Sequence, residues 1–253
     1  MVNFTEAQIL AWLTPLVWPF IRALALFSAM PILGTRAVPN RVRIGLAALI
    51  VLAAHPSLPA MPDVALDSAL AVLLVIQQVL IGLTIGFAVR VAFTAVEFAG
   101  ELVGLQMGLN FAAFFDPISA STATTTNRFL GTTIAWLFIV MGGHLMIVAA
   151  VVQSFTAFPV GPEPFAFLRH TQPQVWGAEI FSTGLWIAMP LMSMLLLVNL
   201  VLGVISRVAP QINVFAIGFP ITLGVGLLGL LITLPALQQP FTMVLERMLM
   251  RFQ

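Results

Sequence analysis

Cysteine, lysine and tyrosine are all missing from this 253-residue chain. Without cysteine there is no disulfide, no thiolate nucleophile and no cysteine metal ligand. Without tyrosine, an aromatic belt at a membrane–water boundary would rest on five tryptophans, Trp12, Trp18, Trp136, Trp176 and Trp186. Without lysine, all ten basic residues are arginine, a bias that coding composition explains as readily as function. Charge itself is scarce: 8% of residues are charged and 60% are hydrophobic, against about 25% charged in ordinary soluble domains. So few charges cannot cover a soluble body of this size, and lipid or partner protein must cover it instead. The formal net charge of +1 excludes a strongly basic nucleic-acid binder. The fold class that follows is all-α: a polytopic membrane protein with long, kinked helices and helical hairpins.

The N-terminus lacks the basic region of a secretory signal, and Pro15, Pro19 and Arg22 interrupt the apolar run behind Glu6. It reads as part of the mature structure, a first apolar segment over residues 7–33, kinked or restarted at its prolines. Arg22 inside it must face protein or water. Residues 34–43 form a short connection carrying Arg36, Arg41 and Arg43, expected in the cytoplasm. The next apolar segment, 44–54, is short for a span and runs into a proline-rich loop. Residues 68–109 read as helix almost throughout, about 63 Å long, roughly twice the hydrocarbon thickness. Either a turn near Arg90 or one long projecting helix accounts for that length.

A polar break follows over residues 110–128, with Ser119, Ser121, Thr122 and Thr124–Thr126 before Asn127 and Arg128. An apolar segment over 129–152 contains His144, read as a satisfied core histidine. The stretch 153–177 holds Pro159, Pro162, Pro164 and Pro173 and favours short helical or irregular structure. Two apolar segments, 178–206 and 212–234, form a hairpin with Pro210 in its tip, and 235–253 is an amphipathic tail. Crossing arithmetic conflicts here. Arg36, Arg41, Arg43, Arg207, Arg247 and Arg251 all favour the cytoplasmic side, yet the tip and end of a fully crossing hairpin lie on opposite sides. At least one apolar segment is therefore expected not to span in the ordinary way.

The chemistry concentrates between Glu97 and Pro117. At about 100° per residue, Arg90, Glu97, Gly100, Glu101, Gly104 and Gly108 share one helix face. The three glycines make a small-xxx-small ladder that lets another backbone approach, within this chain or in a neighbour. A charge at bilayer centre costs about 2.5–3.5 kcal/mol, so the two carboxylates need partners or water. Beyond the ladder, Phe111, Phe114 and Phe115 sit in a non-helical break closed by Asp116-Pro117. Irregular backbone at membrane depth is tolerated only where it is buried in protein or lines a cavity, so the phenylalanines suit either a dry stopper or interfacial anchors. No His-Glu-x-x-His, nucleophile elbow or P-loop occurs, so neither metal, cofactor nor enzyme chemistry has a foothold. A secondary transporter relaying through Glu97, Glu101 and Arg90 is the alternative, weakened by the lack of inverted similarity between the halves.

Residues 99–117, Ala-Gly-Glu-Leu-Val-Gly-Leu-Gln-Met-Gly-Leu-Asn-Phe-Ala-Ala-Phe-Phe-Asp-Pro, resemble the signature of the FliR family of flagellar biosynthetic proteins. Residues 207–220, Arg-Val-Ala-Pro-Gln-Ile-Asn-Val-Phe-Ala-Ile-Gly-Phe-Pro, resemble its second signature. Thr222 departs from the family, which often has a lysine close after that Gly-Phe-Pro. The resemblance implies a core subunit of the type III export gate, part of a helical hetero-oligomer in the bacterial inner membrane and flagellar basal body. The implied partners are FliP, FliQ and FlhB homologues, with FlhA nearby, unfolded flagellar export substrates and membrane lipid. It also implies a FliP-like part, residues 1–177, followed by a FliQ-like hairpin with its tail, residues 178–253. Within the first part, the 110–128 loop would be a plug, with Phe111, Phe114 and Phe115 obstructing the pore and Asp116-Pro117 fixing the turn. Arg207, Pro210, Gln211 and Asn213 would sit at a cytoplasmic hairpin tip.

Overall fold

The computed structural model describes residues 6–65, 68–109, 124–211 and 214–253, with side chains from Thr14 onward, those of Val214 and Phe215 excepted. Among the described residues the chain is helical without a strand. The α-helices are α1 (Glu6–Ala29), α2 (Asn40–Ala54), α3 (Ala69–Gln106), α4 (Thr125–Val140), α5 (Gly143–Ala157), α6 (Ala166–Thr171), α7 (Trp176–Val208), α8 (Val214–Thr233) and α9 (Gln238–Leu249). Short 3-10 turns join several of them. Three helical runs are long and apolar enough to cross a membrane, Ala69–Gln106, Ala166–Val208 and Ala216–Phe252, and α4 with α5 makes a fourth if counted as one broken span. The protein is all-α and polytopic.

The open question at Arg90 is answered by α3, which runs unbroken for 38 residues, about 57 Å. α1 continues through Pro15 and Pro19 without restarting. Two expectations are corrected. The polar break ends at Thr124, because Thr125 already opens α4. The apolar segment over 129–152 is not one helix: it breaks at Met141–Gly142, where Gly142 takes φ 71°, a left-handed conformation that favours glycine. The tryptophan belt is also reduced. Trp18 and Trp176 are fully buried, while Trp136 (70%) and Trp186 (61%) present their rings outward.

By internal contact the chain divides into two units. Residues 1–90, 139–176 and 245–253 form one, and residues 91–138 and 177–244 the other. In the first unit α1 and α2 pack as a hairpin turned at residues 30–39, where Arg43 donates to the carbonyls of Thr35 (2.6 Å) and Val38 (3.2 Å). Gly82 and Gly86 of α3 lie against α1: a Cβ on either would come within 2.8 Å of Ala25 or of the Leu26 carbonyl. Arg22 is fully buried. It donates to Gln78 Oε1 (2.8 Å), Ser154 Oγ (2.9 Å) and the Phe158 carbonyl (3.0 Å), with its guanidinium 3.7 Å above the Phe155 ring. Gln78 passes the network to Gln77, whose amide holds the carbonyls of Pro159 and Glu163 and accepts from the Gly161 N–H. The tail closes this unit: Phe252 packs edge-on to Trp176, and Arg251 donates to the Thr171 carbonyl.

In the second unit, Phe93 meets Phe138 and Phe241 edge-on at 5.5 and 5.3 Å. Phe98 meets Phe181, and Gly184 lets α7 come close to Ala95 and Phe98. α7 and α8 form an antiparallel hairpin: Gly229 faces Leu191 and Met194, while Gly218 and Thr222 share a cleft with Asn199 and Gly203.

Candidate functional site

The end of α3 and the start of α4 flank residues 110–123, and both are built for a defined stop. α3 closes in a Schellman motif, with the Leu109 N–H on the Gly104 carbonyl and the Gly108 N–H on the Leu105 carbonyl, both 3.1 Å. That motif needs a left-handed residue, and Gly108 supplies it at φ 78°. Gly108 is therefore not a third rung of the glycine ladder but the residue that ends the helix.

α4 starts with its own cap. Thr124 Oγ1 accepts from the Asn127 N–H at 3.2 Å, satisfying one of the donors left open at a helix start. The same hydroxyl donates to Glu101 Oε2 at 3.0 Å, and the Thr124 N–H lies 3.5 Å from that oxygen. Asn127 Nδ2 donates to the Glu97 carbonyl at 3.1 Å. The Glu97 side chain lies against Gly131. Gly100 and Gly104 let these contacts form. A Cβ on Gly100 would stand 2.9 Å from the Thr126 carbonyl, and one on Gly104 would collide with Thr126 Oγ1. The ladder packs α3 against this chain's own α4, and the half-buried Glu101 finds a partner in a threonine.

Arg90 is exposed on α3. Arg207 is exposed in the last turn of α7, and Pro210 and Gln211 are exposed in the turn after it. Phe111, Phe114, Phe115, Asp116, Pro117 and Asn213 lie outside the described residues. Among the described residues no cluster of histidine and carboxylate side chains suits a metal.

Beside this site, residues of both signature stretches meet in one further feature. A cleft of about 380 Å³ opens between the α3 terminus and the α7–α8 hairpin, lined by Gln106, Met107, Gly108, Asn199, Phe219 and Thr222 among others. Met107 fills the space that a side chain at Gly226 would take. Asn199 Nδ2 reaches the Gln106 carbonyl at 3.4 Å, and the buried Thr222 hydroxyl donates to the Phe219 carbonyl at 3.0 Å. The hairpin thus grips the same Schellman turn that ends α3.

The profile of the family described as "Bacterial export proteins, family 1" matches residues 13–248. Flagellar biosynthetic protein FliR of Escherichia coli (strain K12) is 45% identical over 244 residues, covering 95% of this chain and 92% of that protein. The protein of the same name from Pectobacterium carotovorum is 42% identical, covering 93% and 90%. That of Aquifex aeolicus is 31% identical, covering 88% and 86%. Matched over residues 13–248 and at such identities, the chain belongs to bacterial export protein family 1, the FliR family.

Proposed function

We propose that this chain is a core subunit of the flagellar type III protein export gate. With FliP and FliQ homologues it forms the channel that passes unfolded flagellar proteins across the bacterial inner membrane. The observation that carries this reading is the family match over residues 13–248 together with 45% identity to a protein named for flagellar biosynthesis. The antiparallel α7–α8 hairpin supports a FliQ-like part over residues 178–253, behind a FliP-like part over 1–177. Residues 110–128 serve as the plug, with Phe111, Phe114 and Phe115 as its apolar body and Asp116-Pro117 as its turn. The Schellman stop at Gly108 and the cap at Thr124 support that role, because they fix the chain on either side of residues 110–123, residues 125–128 being the first turn of α4. Arg207, Pro210, Gln211 and Asn213 form a cytoplasmic tip, and an FlhB homologue contacts the assembly with FlhA nearby. The chain does no catalysis, and partner proteins supply the energy.

The test is co-expression with FliP and FliQ homologues, purification through a tag on this chain and mass measurement of the intact complex. A discrete particle containing all three chains is the expected result. Recovery of this chain alone, folded and monodisperse, overturns the proposal.

A further inference from the structure

The α1–α2 hairpin leaves a groove along one side. Leu16, Val17 and Phe20 of α1 and Ala48, Val51 and Leu52 of α2 line about 300 Å³, and every lining side chain is hydrocarbon. Positions 20 and 48, 17 and 51, and 16 and 52 are equidistant from Gly34 in the turn, as two antiparallel arms require. α2 has 15 residues, about 22 Å, and is too short to cross about 30 Å of hydrocarbon. Yet Ile44, Leu49 and Leu52 stand exposed on it. Such a helix sits within one leaflet and needs apolar cover.

What covers it is indicated by the charge at the turn. Arg41 precedes Ala48 by seven residues and Leu52 by eleven, so all three fall within about 20° of one line along α2. From Arg41 to Leu52 is about 16 Å, close to the roughly 15 Å depth of one leaflet's hydrocarbon. Arg41 and Arg36 are both exposed, whereas Arg43 is held by the Thr35 and Val38 carbonyls and shapes the turn. No acidic residue occurs from Ala7 to Pro62, so nothing in this stretch neutralises the pair. Arg41 thus stands about 10 Å along α2 from the near end of the apolar groove at Ala48, with Arg36 in the turn before it, and that spacing of charge and hydrocarbon matches one class of molecule: phosphate above, acyl chain below.

We propose that the α1–α2 groove holds an anionic phospholipid, its phosphate on Arg41 and Arg36 and one acyl chain along Leu16, Val17, Phe20, Ala48, Val51 and Leu52. Basic side chains beside a membrane surface select anionic over zwitterionic lipid. The inference requires only that the hairpin lies in lipid, not the export-gate role.

The test is native mass spectrometry of the full chain released from nanodiscs of equal phosphatidylglycerol and phosphatidylcholine. Retained phosphatidylglycerol should exceed phosphatidylcholine by up to roughly 25-fold, about fivefold for each arginine. The double substitution Arg36→Gln with Arg41→Gln, both at exposed positions, should abolish the preference, while Arg36→Lys with Arg41→Lys should keep it. Ala48→Phe, which fills the groove, should lower retention of both lipids with the melting temperature unchanged. Equal retention of the two lipids by the unaltered chain, or a preference that survives the glutamine pair, overturns the proposal. So does a photo-crosslinker at Leu52 that captures a partner protein instead of lipid in the purified complex.

Discussion

Gly104 shows how little volume decides the packing of this site. A methyl group there would collide with the Thr126 hydroxyl, whereas one on Gly203 would meet nothing within 4 Å. Gly104→Ala should therefore lower the melting temperature of the purified chain in detergent. Gly203→Ala should leave it unchanged or raise it, since alanine favours a helix interior over glycine by about 0.5–1 kcal/mol. Equal effects of the two substitutions would remove the packing role of Gly104. Arg22 teaches a related lesson. Its position in an apolar run requires a partner or water, and that much is legible from composition alone. Its partners Gln78 and Ser154 lie 56 and 132 residues away, so no local pattern points to them. The acids behave likewise. Their shared helix face is readable from spacing, but the choice of Thr124 as the hydroxyl donor to Glu101 depends on how the chain returns after residue 123.

Helix ends, more than helix interiors, shape the elements here. The tandem glycines at 100, 104 and 108 look equivalent in sequence, yet two pack and the third caps, because only Gly108 falls where the chain takes φ 78°. Thr124 serves both helices at once, capping α4 and bonding a carboxylate of α3. Thr124→Ala should cost about 0.5–2 kcal/mol as a lost cap, and Thr124→Ser should restore most of it. Hydrogen exchange at the Asn127 amide reads the effect directly: faster exchange in the alanine variant is expected, and unchanged exchange refutes the cap's contribution. Gly142-Gly143 shows why the broken span is not legible beforehand. Paired glycines in an apolar run suit close packing as well as a left-handed break, and only the fold selects φ 71° at the first of them.

Across the whole molecule, burial ranks the long helices. The apolar window of α3 is 56% buried within the chain, against 17% for the run containing α7. The α3 window is the most buried of the three, and the run containing α7 leaves apolar surface that lipid, or neighbouring subunits in the proposed assembly, would cover. If residues 110–128 close a pore in that assembly, deleting 111–115 should raise the ion conductance of the reconstituted three-protein complex well above that of the intact complex. Unchanged conductance, with assembly intact by mass, sinks the plug.

The sequence by itself determined the class of this molecule. Eight per cent charge and long, non-alternating apolar runs point to a helical membrane protein, because the hydrocarbon core tolerates no unsatisfied backbone and barrel strands are only about 9–11 residues long with alternating faces. It also marked the Glu97–Pro117 stretch, since carboxylates, glycines and clustered phenylalanines are costly or unusual amid such apolarity. Tertiary structure alone decided that residues 69–106 make one helix, and that 129–152 breaks at Gly142. It also turned the glycine ladder onto α4 and let the α7–α8 hairpin grip the end of α3. Apolarity commits a segment to burial or lipid without saying which neighbour it meets. That choice is made by close contacts between residues distant in the chain.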